Sequence, residues 1–193
     1  MSARAKITPR DAAGIDRPPL TVSRSALLVD GSDGEFRKLV HGLFAFLAAH
    51  ESVRDGYADL VGLTGPQYSM LLCIRHLGAA GPVAVRDVAG HLGYSGSHVT
   101  VETNKLAARI LIAKERAITD RRRVDLTVTA EGAALLDGIA PLRRQVNDVQ
   151  FGRLDESEFR HLVPLVGRLT QSSREALSLL AYLRQTHSAA NED

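Results

Sequence analysis

The sequence has few cysteines and few aromatic residues, and it has no long apolar run. It contains 193 residues with a single cysteine and no tryptophan, and only 5% of its residues are aromatic. One cysteine, Cys73, cannot form an intramolecular disulfide, which excludes the class of small disulfide-rich domains. No run approaches the roughly 20 apolar residues of a transmembrane helix, and the basic N-terminus has no apolar segment of a secretory signal. We therefore expect a cytoplasmic protein.

Motifs of catalysis and cofactor binding are also missing. The chain has no Walker loop, no GxGxxG and no GxSxG, and its histidines form no HxxxH pair. Cys73 lies within the apolar run MLLCI, so we interpret it as a core residue, because a redox sensor needs a thiol with a low pKa and solvent access. A zinc site and a redox role for Cys73 are the less favoured alternatives. We expect no enzyme activity, no cofactor and no metal.

Positive charge is concentrated in two parts of the chain, although the net charge is only +2. Residues 86–125 hold eight Lys/Arg against five Asp/Glu, and residues 1–27 hold five against two. A face that binds phosphates needs such an asymmetry. A solvated surface of mixed charge is the simpler alternative.

The first half of the chain predicts two helices. An apolar stripe at helical spacing predicts one from about Asp33 to somewhere in 50–60, and its members are Phe36, Leu39, Val40, Leu43, Phe44 and Leu47. Thr64 is a good N-cap for the next helix, with Pro66 near its first position. That helix should end at Gly78, and its apolar centre should be buried.

The stretch from Val85 to Gly132 predicts a helix-turn-helix followed by a two-stranded wing. The first helix should stop at Gly93, and Ser95 or Ser97 can cap the second. The second helix should bury Val99, Thr103, Leu106 and Ile110. Its other faces should carry Ser97, His98, Val101, Glu102, Asn104 and Lys105. A small, polar N-terminal end suits insertion into the major groove, which is about 12 Å wide; an ordinary surface helix is the alternative.

The wing combines two β-prone runs, AKERAIT and VDLTVT, with the basic turn TDRRR between them. Arginines at a hairpin tip can enter the minor groove, where negative potential is focused. Asp120 is interpreted as fixing the turn, and a solvated charged turn is the alternative. The predicted DNA-contacting residues are Ser95, Ser97, His98, Thr100, Val101, Asn104, Lys105, Arg121, Arg122 and Arg123.

The last third of the chain predicts two more helices. The first carries a stripe from Leu135 to Val149 with Pro141 as a kink or break, and Asp155 should cap the second. Pro164 should interrupt that second helix. The apolar face continues through Leu177, Leu180 and Leu183, and a single chain would struggle to bury it together with the Phe36–Leu47 stripe. A homodimer is therefore expected.

These motifs resemble the MarR family of winged helix-turn-helix regulators over roughly residues 35–184. The resemblance rests on GYSGSHVT at the start of the recognition helix, DRRR in the wing and LTVTAEG after it. Two positions depart from the family pattern, Gly96 where a basic residue is common and Ile110 where a glycine is common. The resemblance implies a mainly α fold: a winged helix-turn-helix DNA-binding lobe with a helical dimerisation base formed by the N- and C-terminal helices.

The corresponding regions are a flexible basic arm (1–32), a dimerisation region (33–62 and 133–187) and a DNA-binding region (63–132). The resemblance further implies a homodimeric regulator, taken as a repressor, that binds a pseudo-palindromic operator in double-stranded DNA. Its two recognition helices would lie about 34 Å apart. The effector would be a small aromatic acid or phenolic, and the candidate lining residues are His41, Phe44, Tyr68 and Arg75. The alternative function is a winged-helix module for protein–protein assembly without sequence-specific DNA binding.

Overall fold

The structure is a computed structural model that describes residues 18–116 and 123–189. Contacts divide the chain into two compact units, Met1–Leu136 and Asp137–Asp193. The elements of the first unit are α1 (Gly34–Leu60), α2 (Gly65–Gly78), β1 (Val83–Ala84), α3 (Val85–Leu92), α4 (Gly96–Ala108), β2 (Ile112–Arg116) and β3 (Val124–Val128). Three helices follow, α5 (Ala130–Gly138), α6 (Ala140–Phe151) and α7 (Glu156–Ala189), with α5 running across the division. The prediction of a mainly α winged helix-turn-helix fold is confirmed.

The two predicted N-terminal helices are present within the predicted bounds. α1 starts directly after Asp33 and runs through Gly56 to Leu60. α2 opens with a capping box, in which the Thr64 hydroxyl accepts from the backbone N–H of Gln67 and the Gln67 amide oxygen accepts from the N–H of Thr64. These two bonds satisfy N–H groups that the first turn of a helix leaves without an intrahelical acceptor.

The residues just before α1 are tied to that helix through the Asp33 carboxylate. Its Oδ2 accepts from both the backbone N–H and the hydroxyl of Thr21, at 2.8 and 2.7 Å, and lies 3.1 Å from Nε of Arg37. Arg37 also donates to the carbonyl of Pro19. The hydrogen bonds from Arg37 and Thr21 hold the pKa of Asp33 well below its ordinary value. The contacts of ionised Asp33 with Thr21 and Arg37 therefore stabilise the fold at neutral pH, and this contribution is lost when acid protonates Asp33.

The wing strands and a short third strand form an antiparallel sheet in the order β1-β3-β2. Leu126 of β3 lies at its centre, paired with Val83 on one side and Lys114 on the other. Residues 117–122, which include the predicted Asp120 turn, lie outside the described residues, as do residues 1–17 of the predicted arm. The core of the unit is built from fully buried side chains of α2, α3, α4, α5 and the sheet: Tyr68, Met70, Leu71, Ile74, Val83, Val88, Val99, Leu106, Leu126 and Leu136.

Thr129 and Gly132 join the wing to the turn that follows α4. The Thr129 hydroxyl accepts from the N–H of Gly132 and donates to the carbonyl of Ile110. A Cβ on Gly132 would overlap the carbonyl oxygen of Leu111, so no larger residue fits there. The LTVTAEG pattern thus encodes a close approach of two backbone segments.

Ile110 was expected on the buried face of α4, and this expectation was wrong. α4 ends at Ala108, and Ile110 lies beyond its end with a side chain 63% exposed. Its φ of +59° places a β-branched residue in the left-handed region, where its Cβ crowds the following carbonyl oxygen. The glycine that is common at this position would adopt the same conformation without strain.

The C-terminal third contains three helices, not the two predicted. Gly138 ends α5, and Pro141 lies in the first turn of α6, so the break expected at Pro141 is confirmed. Asp155 caps α7 as predicted, since its carboxylate accepts from the N–H of Glu158. The expected interruption at Pro164 was wrong, because α7 continues through it.

Replacing Ile110 with glycine should stabilise the protein. We expect Ile110→Gly to be more stable than Ile110→Ala by about 1 kcal/mol, because alanine keeps the Cβ that strains a positive φ. The exposed side chain itself contributes little burial. Urea unfolding followed by circular dichroism at fixed protein concentration measures the difference. Equal stabilities of the two variants would show that this backbone conformation carries no strain.

Candidate nucleic-acid interface

A sharp turn and a serine cap set the start of the recognition helix α4. α3 ends at Gly93, whose φ of +72° reverses the chain. Ser95 then caps α4, its hydroxyl accepting from the N–H of His98 at 3.2 Å. The sequence left Ser95 and Ser97 as alternative caps, and the structure selects Ser95. The Ser97 hydroxyl lies 3.1 Å from that of Ser95.

One face of α4 is exposed from the first turn to the last. Its positions recur at helical spacing, so they form a single stripe, and they are Ser97, Thr100, Val101, Asn104, Lys105 and Ala108. The polar members can donate to or accept from base edges, and a valine can contact a thymine methyl group. His98 differs from this set, because it is half-buried with its ring edge-on to Tyr94 at a centroid distance of 5.2 Å.

Glu102 was expected on the exposed faces of α4, and this expectation was wrong. The residue is only 8% exposed. Its Oε2 accepts from Nε2 of Gln67, and its Oε1 accepts from Nζ of Lys105, both at 2.8 Å. These hydrogen bonds, first from Lys105 and then from Gln67, lower the pKa of Glu102. Little in the sequence indicated the contact between Glu102 and Gln67, because Gln67 could be recognised only as a member of the α2 capping box.

The far end of α4 is fixed to the end of α1. The guanidinium of Arg109, the residue that follows α4, donates to the backbone carbonyls of Gly62 and Val61. These carbonyls lie just after α1. A cation at this point also interacts favourably with the negative end of the α1 dipole.

Lys114 on β2 connects the wing to the recognition helix. Its Nζ donates to Oδ1 of Asn104 at 2.7 Å and to the hydroxyl of Thr103 at 3.2 Å. Burial lowers the pKa of this lysine. The sequence pattern assigned Lys114 no role, because a lysine in a β-prone run gives no sign of what it faces.

Arg123 lies at the base of the wing. Its Nε is 2.6 Å from Oδ1 of Asp125, and its Nη2 donates to the carbonyl of Pro82 at 3.0 Å. This arginine therefore joins β3 to the loop before β1. Arg121 and Arg122, the other predicted wing contacts, lie outside the described residues.

A cleft of about 440 Å³ opens between the start of α3, the start of α4 and the wing. Three cationic side chains line it, from Arg86, Lys114 and Arg123, beside Gly96 and Thr100. The cleft is large enough for a small ligand. Its charge suits an anion, whether a DNA phosphate or a carboxylate.

The four predicted effector residues do not form one cluster within the chain. His41 and Phe44 are exposed on α1, with their rings edge-on at 6.2 Å. Tyr68 is buried on α2 against Tyr57, with ring centroids 6.0 Å apart. Phe44 and Tyr57 are separated by about 20 Å along α1. Arg75 is exposed near the end of α2.

Cys73 is buried as predicted, and burial raises the pKa of its thiol to about 11. A thiol with a raised pKa forms little of the thiolate that redox sensing needs. Within residues 18–116 and 123–189, no cluster of three metal-binding side chains occurs. No helix in these ranges is long and apolar enough to cross a bilayer.

Comparison with known proteins identifies the type of fold. No model of a known protein family matches the chain. Over 114 residues it is 27% identical to the HTH-type transcriptional repressor NicR of Pseudomonas putida, covering 59% of this chain and 70% of that protein. It is 26% identical to Bordetella bronchiseptica BpsR, with a TM-score of 0.57, covering 69% of this chain and 98% of that one.

The BpsR structure concerns the mechanism by which 6-hydroxynicotinic acid regulates DNA binding of BpsR. The fold also matches a cysteine-to-serine mutant of Escherichia coli MarR complexed with operator DNA, at 18% identity and a TM-score of 0.58, covering 70% and 95% of the two chains. The resemblance to MarR regulators inferred from the sequence is thereby confirmed. The chain has the MarR-type winged helix-turn-helix fold.

Two neighbouring serines at the start of α4 should differ in how much they contribute to stability. Ser95→Ala should lower the free energy of unfolding by about 1 kcal/mol, because it removes the cap of α4. Ser97→Ala serves as the matched control and should change stability by less than about 0.5 kcal/mol. Thermal and urea unfolding of the two variants measures this. The cap assignment would be contradicted if Ser97→Ala were the more destabilising change.

Proposed function

We propose that this chain is a homodimeric transcriptional repressor that binds a pseudo-palindromic operator and responds to a small aromatic effector. Similarity to NicR and BpsR supports a DNA-binding transcriptional regulator. The observation that carries the proposal is the exposed polar face of α4, capped at its start and flanked by a wing. Such a face can enter a major groove while the wing reaches the adjacent minor groove. A regulator of this kind acts in the cytoplasm, beside chromosomal DNA.

The dimer would be formed by the terminal helices. α1 exposes a row of large apolar side chains: Leu39, Leu43, Phe44, Phe46 and Leu47. α7 exposes a longer set: Phe159, Leu162, Val163, Leu165, Val166, Leu169, Leu177, Leu179, Leu180, Tyr182 and Leu183. Monomeric proteins in water rarely leave rows of large apolar side chains uncovered along a helix, as each of these two helices does. A second copy of the chain, related by a twofold axis, supplies the same faces in return.

Light scattering at micromolar concentration should give the mass of a dimer. Charged substitutions in the two apolar rows should shift the protein to monomer, because burying an unpaired carboxylate costs several kcal/mol. An example is the double variant with Leu180→Glu on α7 and Leu43→Glu on α1. Lys38→Glu, at an exposed site on the same helix, is the control and should leave the dimer intact. A wild-type protein that is monomeric at this concentration would contradict the dimer.

The DNA-binding face can be tested on the protein's own upstream region by mobility shift. Replacing Arg121, Arg122 and Arg123 with alanine should weaken binding to operator and random DNA alike. It should also flatten the dependence of log K on log salt by about 0.9 for each phosphate that the variant no longer neutralises. Arg160→Ala, which removes a surface arginine of α7, is the control.

Two results would change this assignment. Unchanged affinity and salt slope in the triple variant would remove the wing from the DNA interface. A wild-type protein that does not discriminate its upstream region from random DNA would favour the alternative function, a winged-helix module for protein assembly.

The effector proposal rests on similarity to BpsR and on the cationic cleft beside α4. A carboxylate in this cleft would meet Arg86, Lys114 and Arg123, and it would compete directly with DNA at the start of the recognition helix. The residues expected from the sequence offer a second location, where an acid that bridges α1 and α2 of one chain to the partner would meet Arg75 or a histidine. In both cases the effector weakens DNA binding by its differential affinity for the free and DNA-bound states.

A thermal-shift series with 6-hydroxynicotinic acid, benzoate and phenol should raise the melting temperature with at least one compound, because a ligand selective for the folded state stabilises it. The same compound should lower operator affinity. Arg86→Ala should abolish the shift if the cleft is the site, and Arg75→Ala should abolish it if the α1–α2 location is. Compounds that shift the melting temperature but leave DNA binding untouched would end the effector proposal and leave the DNA-binding function standing.

A further inference from the structure

One side chain on the exposed face of α4 has its oxygen already engaged. Asn104 is exposed, and its Oδ1 accepts a hydrogen bond from Nζ of Lys114 at 2.7 Å. Lys114 belongs to β2, whose register with β3 places it opposite Leu126. The lysine is thus held by the sheet and reaches the recognition helix from the wing.

This contact fixes which way the Asn104 amide points. A lysine ammonium only donates hydrogen bonds, so the amide must turn its oxygen, and not its NH₂, toward Nζ. A second acceptor, the buried Thr103 hydroxyl, holds the same ammonium at 3.2 Å. Among residues 18–116 and 123–189 the amide NH₂ of Asn104 has no partner, so it is available to donate a hydrogen bond.

We propose that Lys114 is a specificity-determining positioning residue, which makes Asn104 read the major groove mainly through its NH₂ donor. A free asparagine reads adenine by donating to N7 while accepting from N6. The lysine uses one of the two lone pairs of the Asn104 oxygen and places a cation beside it, which weakens the bond from the adenine N6 donor and with it the two-bond pairing. The NH₂ of Asn104 can still donate to the acceptors of the groove, which are N7 of adenine, N7 and O6 of guanine and O4 of thymine. Guanine and thymine are favoured because adenine, without the second hydrogen bond, also presents its N6 donor to this donor. The inference rests on the proposed function, since it requires that α4 lies in the major groove.

Selection from a randomised duplex library, followed by sequencing, tests the inference with the full-length protein. The wild type should enrich a motif with guanine or thymine at one position of each half-site that depends on Asn104. Asn104→Ala should reduce the preference at that position by about fivefold or more and leave the other positions unchanged. Lys114→Met should raise adenine relative to guanine or thymine at the same position by about fivefold or more.

Two further variants separate this role from a merely structural one. Lys114→Arg keeps a donor and should retain the wild-type base preference. Thr103→Val removes the other acceptor of Lys114 without touching Asn104, so its motif should be unchanged. Should Lys114→Met fail to unfold cooperatively, Lys114→Leu takes its place, because it also removes the donor to Asn104 and should give the same shift toward adenine. Asn104→Asp tests separately that residue 104 meets a base. Its carboxylate only accepts, so the preferred base at that position should change to cytosine, which offers N4 as a donor.

The outcomes distinguish this inference from the proposed function. A wild-type selection that enriches no motif overturns the proposed function itself. A wild-type motif that Asn104→Ala leaves unchanged at every position overturns only the inference. Adenine at the Asn104-dependent position in both the wild type and Lys114→Met overturns it as well.

Discussion

One buried carboxylate ties the helix α4 to α2. Glu102 lies on the inner side of α4 and is held by Gln67 from α2 and by Lys105 from its own helix. A hydrogen bond to a charged acceptor is stronger than one between neutral groups, so the contact from Gln67 opposes separation of α2 and α4 at this point. Gln67 also closes the capping box of α2. One amide side chain therefore fixes both the start of α2 and the middle of α4.

Most of the fold was predictable because its signals are local. Apolar spacing and a threonine cap located α1 and α2, and a glycine turn followed by β-prone runs located the recognition helix and wing. The errors have physical causes of a different kind. Glu102 looked exposed because its partner Gln67 lies 35 residues away. Ile110 continued the apolar period of α4 although the helix had already ended. Pro164 costs α7 a single backbone hydrogen bond in a helix of 34 residues, and that loss does not end the helix.

The candidate site was predictable as a set of exposed residues but not as a network. Helical spacing gives Ser97, Val101 and Asn104 one common face, and the structure agrees. The bonds that hold this face join residues from three elements: Lys114 from the wing, Gln67 from α2 and Arg109 from the end of α4. Each of these is a long polar side chain at a position where the sequence pattern is equally consistent with solvent exposure. Their partners are set by tertiary structure, which a local pattern does not encode.

Arg109 couples the position of α1 to the end of α4. α1 is a rod of 27 residues, about 40 Å long. Its N-terminal half carries the exposed apolar row, and the carbonyls just beyond its C-terminal end are bound by the arginine that follows α4. If α1 tilts, either Arg109 moves with it or the hydrogen bonds from Arg109 to these carbonyls break. A movement of α1 therefore reaches the end of α4 through this guanidinium, as well as through α2, which packs against both helices.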